Sequence, residues 1–107
     1  MDEQNYLCGA SSYNQKFFLN PAFEGLPTQI KDELKVMCVL FVEDVGGIIL
    51  LKFDEDGNLQ IIVTAEEGDY DFDEIGSRLK IKEMRTDKKE LFGQLEQYFK
   101  AVSENLL

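Results

Sequence analysis

The chain has 107 residues, and its 21 acidic and 11 basic side chains give a formal net charge of −10 at pH 7. This length suits one domain that buries its own core, so we expect a single globular domain over residues 1–107. The acid excess repels phosphate backbones and anionic lipid surfaces, which excludes nucleic acid and membranes as expected partners. Catalysis of the Ser-His-Asp kind is also excluded, because the chain contains no histidine.

The two cysteines predict a reducing compartment. Cys8 and Cys38 form no CxxC pair, and no histidine is present to complete a zinc site. The start "MDEQNY" lacks the basic and apolar regions of a signal peptide, so we expect a cytoplasmic protein. The phosphate-binding motifs GxxxxGK and GxGxxG are also absent, so we expect no cofactor. Cys8 has no base to activate it and is interpreted as a small buried hydrophobe rather than a nucleophile.

Residues 5–20 show the period-two alternation of a β-hairpin. The strands "NYLCGASS" and "KFFLN" are joined across "SYNQ". The following "NPAFEGLP", with a proline near each end and a glycine between, predicts a break in regular structure.

From Thr28 the period changes to that of a helix. One face carries apolar residues at spacings of three and four, namely Ile30, Leu34, Met37, Phe41 and Val45, widened by Cys38 and Val42. Pro27 suits a first turn and Gly46-Gly47 a stop, so the pattern predicts a helix over residues 28–45.

The segments "GIILLKF" and "LQIIVTA" predict a second hairpin whose strands are apolar on both faces. Such strands are usually covered on both sides, here by another helix or another subunit. A calcium loop starting at Asp54 would need glycine at its sixth position and glutamate at its twelfth, where Leu59 and Ala65 stand. The connecting "DEDGN" therefore predicts a hairpin loop with Gly57 or Asn58 at positive φ.

The remaining sequence predicts two helices. Asp71 or Asp73 caps the first, near Phe72, with Glu74 three residues after Asp71 as in a capping box. We expect three apolar side chains of this helix to face the core, namely Ile75, Leu79 and Met84. Thr86 is the predicted N-cap of a second helix at about residues 87–104, which has the clearest amphipathic pattern in the chain.

This order of elements predicts an α+β domain. Its sheet is antiparallel, with four strands or five, in the chain order β-β-α-β-β-α-α and with the helices packed on the sheet.

The candidate metal site is the acidic segment "EEGDYDFDE", residues 66–74, with carboxylates at Asp69, Asp71, Asp73 and Glu74. A calcium loop does not fit, although alternating carboxylates can hold magnesium together with water. The interpretation we favour is a solvated loop that brings negative charge to a helix N-terminus.

Charge is unevenly distributed along the chain. Residues 54–74 hold nine acids and no base, whereas residues 78–89 hold six bases. The basic stretch either contacts a partner or another copy of the chain, or forms local ion pairs in water.

The stretches "LCGASSYNQKFFLNP", "VMCVLFVEDVGGIILLKFDEDG" and "DFDEIGSRLKIKE" resemble a family of small acidic bacterial proteins with a domain of unknown function. The resemblance covers nearly the whole chain and implies no activity or site residues. A looser similarity, of shape alone, is to roadblock and longin-type domains, small sandwiches that dimerise and act as scaffolds or GTPase regulators.

The leading hypothesis is a non-enzymatic cytoplasmic interaction or scaffold domain that forms a homodimer or binds another protein. The sheet or the third helix would supply the contact. The rival is a metal- or carboxylate-dependent enzyme that uses the acidic segment. A third hypothesis is a small-molecule sensor with an apolar cavity around the aromatic residues 13–23.

Overall fold

The computed structural model describes the backbone of residues 5–105 and the side chains of residues 5–103. This part of the chain confirms the predicted α+β class and element order, with four strands. The strands are β1 (Tyr6–Ser11), β2 (Lys16–Leu19), β3 (Ile48–Phe53) and β4 (Leu59–Thr64). The α-helices are α1 (Thr28–Val45), α2 (Glu74–Asp87) and α3 (Lys89–Asn105). Over the same residues no helix has both the length and the apolar character needed to cross a membrane.

The sheet has the strand order β2-β1-β3-β4, and every neighbouring pair is antiparallel. In the central pair, Cys8 lies opposite Leu51 and Ala10 opposite Ile49. All four side chains are buried in the core, beneath the helices. A bulge in β1 lets Leu7 enter the core beside Cys8, because it inserts one extra residue opposite β3. The core therefore lies on one face of the sheet.

Helix α1 forms where the 3.6-residue period predicts it, and its apolar stripe packs on this core face. Leu34, Cys38 and the other residues of the predicted stripe are buried, except for the half-buried Ile30. Gly46 and Gly47 end the helix at φ of 82° and 78°. A Cβ at Gly47 would lie 2.6 Å from the carbonyl oxygen of Thr64, so only glycine fits this two-residue connection.

Helix α2 presents a different face to the core from the one predicted. Ile75 and Leu79 are 74% and 61% exposed, whereas Ser77 and Met84 are buried. The expectation for Ile75 and Leu79 is therefore wrong, and that for Met84 is confirmed. Apolar residues lie on both sides of α2, so the period alone could not select the buried side. The choice follows from packing, since α2 contacts both α1 and α3.

The cap of α2 is one of the two predicted residues, whereas the predicted capping box and the predicted cap of α3 do not form. Asp73 is the N-cap of α2, and its Oδ1 accepts a hydrogen bond from the Gly76 N–H at 2.8 Å, so no capping box forms from Asp71. Thr86 starts no new helix, because α2 runs to Asp87 and the Thr86 hydroxyl donates back to the Lys82 carbonyl. A single residue, Lys88, separates α2 from α3.

Stacked rings join α3 to the end of the sheet. Phe53 of β3 stacks on Phe99 of α3 with ring centroids 4.2 Å apart, and Phe23 packs beside both rings. Nearby, two charged side chains bind the backbone of Leu59, at the start of the edge strand β4. The Leu59 N–H donates to Glu96 Oε2 at 2.7 Å, and Arg85 Nη2 donates to the Leu59 carbonyl at 3.1 Å.

Alanine substitutions on α2 test which of its sides is buried. We expect Met84→Ala to lower the free energy of unfolding by about 2 kcal/mol, because it removes buried volume. Leu79→Ala should change it by less than about 0.5 kcal/mol, because Leu79 is exposed. Urea unfolding followed by circular dichroism measures both values. Equal losses for the two variants would contradict the observed orientation of α2.

Candidate functional site

The acidic segment of residues 66–74 is tied to the β1–β2 turn by Tyr13. The Tyr13 hydroxyl donates to Asp69 Oδ2 at 2.6 Å and accepts from the Glu66 N–H at 2.9 Å. The hydrogen bond to the Asp69 carboxylate raises the pKa of Tyr13. Asp69 Oδ1 also accepts from the Asp71 N–H at 3.0 Å. Both Asp69 oxygens thus stabilise the loop itself.

The other carboxylates of the segment have separate local roles. Asp73 caps α2, and Glu74 Oε2 lies 2.7 Å from Arg78 Nη2 in an ion pair on the helix surface. Asp71 borders a pocket of about 620 Å³ at the end of α1. Within the described residues no three acidic, cysteine or histidine side chains meet in a group that could hold a metal ion. The arrangement therefore gives the metal-enzyme hypothesis no geometric support.

The buried cysteines lie together between β1 and α1. Their Sγ atoms are 4.0 Å apart, and both thiols are free. The hydrogen bond to Cys38 and burial raise the pKa of the Cys8 thiol, which disfavours the nucleophilic thiolate. These contacts support the interpretation of Cys8 as a core residue.

The aromatic residues between positions 13 and 23 do not share one cavity wall. Phe17 and Phe23 pack in or against the core, while Phe18 is exposed on the opposite face of the sheet. Tyr13 is bound to the acidic loop. This dispersal gives the small-molecule sensor hypothesis no support.

The basic stretch of residues 78–89 contributes mostly to contacts within the chain. Two lysines form ion pairs with α1: Lys80 of α2 with Asp44 at 2.6 Å, and Lys88, between α2 and α3, with Glu33 at 2.9 Å. Arg85 binds the backbone of β4. These contacts agree with the local-ion-pair interpretation of the stretch.

The face of the sheet opposite the core carries an apolar row across all four strands. Gly9 lies opposite both Phe18 and Leu50, and Leu50 lies opposite Ile62. A Cβ at Gly9 would lie 2.5 Å from Phe18 Cζ, so glycine allows the Phe18 ring to lie across β1. The ring also makes an edge contact with Tyr6 at a centroid distance of 5.8 Å. We call this surface the open face.

Polar residues flank the apolar row of the open face. The row on one side consists of Tyr6, Lys52 and Gln60. The row on the other side consists of Lys16, Ser11, Ile48 and Thr64. Phe18 and Ile62 are exposed, and none of the apolar side chains of the face packs against the core. The open face has an apolar centre and a polar rim, the usual anatomy of a protein interface. The sequence of β3, which is apolar on both faces, predicts such a surface but does not identify what covers it.

Comparison with known proteins finds one family. The model of a family of unknown function, DUF6145, matches residues 4–106. No curated protein and no solved structure matches the chain, so the similarity to roadblock and longin-type domains has no support from these comparisons.

The hairpin loop at residues 54–58 is held by Asp54. Its Oδ1 accepts from the N–H groups of Asp56 and Asn58, both at 2.9 Å, and Gly57 has the predicted positive φ, at 84°. These backbone hydrogen bonds, led by that of Asn58, lower the pKa of Asp54. The carboxylate thus completes a hairpin turn rather than a calcium loop.

The local roles of the carboxylates predict no tight divalent-cation binding. Titration calorimetry with calcium and with magnesium should show no binding in the micromolar range, because Asp69, Asp73 and Glu74 are directed to different partners. The melting temperature should be the same with EDTA as with either cation. Micromolar binding that Asp69→Asn abolishes would overturn this interpretation.

The lowered pKa of Asp54 predicts an acid-dependent contribution to stability. Its carboxylate is favoured in the folded state, so the contribution is complete above the ordinary carboxyl pKa near 4 and is lost as the pH falls through the lower folded value. Asp54→Asn keeps an oxygen acceptor but cannot titrate. Unfolding measured from pH 7 to pH 2.5 should therefore show a shallower acid decline for Asp54→Asn than for the wild type. Parallel declines would contradict the assignment.

Proposed function

This chain belongs to DUF6145, a family of unknown function, and we propose that it is a non-enzymatic interaction domain that pairs with a second copy of itself through the open face. The observation that carries the proposal is the apolar row of Phe18, Leu50 and Ile62, in which Phe18 and Ile62 are exposed and Leu50 is half-buried. Contiguous exposed apolar surface with a polar rim is typical of interaction sites.

The open face lacks the acid excess of the rest of the chain, so two copies meet there with less repulsion between carboxylates than elsewhere. The strand residues on this face include Lys16 and Lys52 but no carboxylate, although the whole chain has a net charge of −10. Pairing at this face therefore keeps the acidic loops and helices at the outside of the dimer. A two-fold interface presents the same patch on both copies, so the two apolar rows meet.

The size of the open face predicts a weak dimer. Four strands of four to six residues give a patch of at most roughly 20 Å by 20 Å. This is about half of the roughly 800 Å² that a standard interface buries on each partner. Association should therefore depend strongly on concentration.

A reducing cytoplasm is the compartment that we propose for this dimer. Two free thiols 4.0 Å apart in the core suit an environment in which cysteines stay reduced.

Sedimentation velocity from about 10 μM to about 1 mM protein tests the dimer, since weak interfaces form in this range. The wild type should shift from monomer to dimer, and added salt should favour the dimer because it screens the repulsion between acidic copies. The double variant Phe18→Thr, Ile62→Thr should stay monomeric, because it removes two exposed apolar groups from the face.

The matched control carries the same kind of change on the exposed side of α2. Ile75→Thr with Leu79→Thr should dimerise like the wild type, provided that circular dichroism shows both double variants to be folded. A wild type that is monomeric throughout the range would refute the proposal. So would a Phe18 and Ile62 variant that still dimerises.

A further inference from the structure

A second apolar surface lies on the helical side of the molecule, in a groove between α1 and α2. The groove has a volume of about 620 Å³. Met37, Phe41 and Met84 form its buried floor, while Val36 and Leu40 line it at 56% and 58% exposure. We call it the α1–α2 groove. Exposed apolar side chains that lie together in a groove are typical of interaction sites.

Two ion pairs close the ends of the groove. Lys80 of α2 lies 2.6 Å from Asp44 of α1, and Lys88 lies 2.9 Å from Glu33. The two ion pairs hold the helices side by side. The pairs lie about 12 Å from each other along the helix axis, because their lysines are eight residues apart. The groove is therefore present before any partner binds, which lowers the cost of ordering on binding.

The rim of the groove is acidic. Asp32 of α1, together with Glu83 and Asp87 of α2, lines it, and within the described residues none of these carboxylates forms an ion pair. Both lysines of the lining are already paired with α1 carboxylates. A cationic partner would supply the missing counter-charges, whereas an acidic partner would be repelled.

We propose that the α1–α2 groove binds a basic amphipathic helix of another protein. Its apolar stripe would cover Val36 and Leu40, and lysine or arginine side chains beside the stripe would face Asp32, Glu83 and Asp87. Methionines such as Met37 and Met84 adapt their shape to different apolar side chains, which suits this mode of binding. A second copy of the chain is disfavoured, because its net charge of −10 would bring further negative charge to the acidic rim.

Binding of a defined peptide tests the groove. The probe is a fluorescein-labelled peptide of about 18 residues, built from leucine and lysine with leucines at helical spacing; the spacing follows from the 3.6-residue turn. Fluorescence polarisation should show binding to the wild type. A scrambled peptide of the same composition should bind at least about tenfold more weakly, and the analogue with glutamate in place of lysine should not bind.

Apolar substitutions locate the site. Val36→Ser with Leu40→Ser should weaken binding of the leucine–lysine peptide at least about tenfold, because the stripe loses two partners. The matched control, Ile75→Ser with Leu79→Ser, removes similarly exposed side chains of α2 that do not line the groove. Its affinity should stay within about twofold of the wild type.

Charge substitutions distinguish the contribution of the rim carboxylates to peptide binding from that of the net charge of the chain. Glu83→Gln with Asp87→Asn should weaken binding more than Glu55→Gln with Asp56→Asn, which neutralises two carboxylates in the β3–β4 loop. Equal effects of the two pairs, or equal binding of the scrambled peptide, would show attraction by net charge alone and overturn the proposal. No binding to the wild type at about 1 mM would also overturn it.

Peptide binding in the α1–α2 groove and dimerisation through the open face can be lost separately. The Phe18→Thr, Ile62→Thr variant should bind the peptide like the wild type, and the Val36→Ser, Leu40→Ser variant should dimerise like it. Loss of both properties in both variants would point to unfolding, which circular dichroism detects directly.

Discussion

The packing of α1 against Cys8 and Ala10 is the contact on which the rest of the structure depends. These are small residues at the centre of the sheet, so the helix approaches β1 closely enough for the Sγ atoms of Cys8 and Cys38 to lie 4.0 Å apart. Ile49 and Leu51 of the neighbouring strand extend the same floor. Because the core forms at this interface, one face of the sheet and one side of α1 are buried against each other and offer no surface to partners.

The surfaces left over by this packing differ in chemistry. The open face of the sheet is apolar with two lysines, whereas the α1–α2 groove is apolar with an acidic rim. They lie on opposite sides of the molecule, since α1 stands between the sheet and the groove. One small domain can thus offer two surfaces that select different partners by charge.

The sequence predicts the elements well because their periods are clear, as in the match of α1 to residues 28–45. The sequence does not predict which side of α2 is buried, because Ile75 and Leu79 form an apolar side that is exposed. Contacts of α2 with α1 and α3 select the buried side. The carboxylates of the acidic segment make it a candidate metal site in the sequence, yet Asp69 binds Tyr13 and Asp73 binds the α2 backbone. The groove was missed, although Val36 and Leu40, four residues apart and off the core stripe of α1, are a readable signal of it.

The two side chains that bind the Leu59 backbone also bear on aggregation at high protein concentration. An unpaired strand at a sheet border is a template on which other chains can stack into fibrils. Glu96 and Arg85 occupy the amide and carbonyl at the beginning of β4, and each brings a charge to that position. At the opposite border, β2 is only four residues long and begins with Lys16. Both edges of the sheet thus carry charged side chains, which disfavour strand-by-strand pairing between molecules.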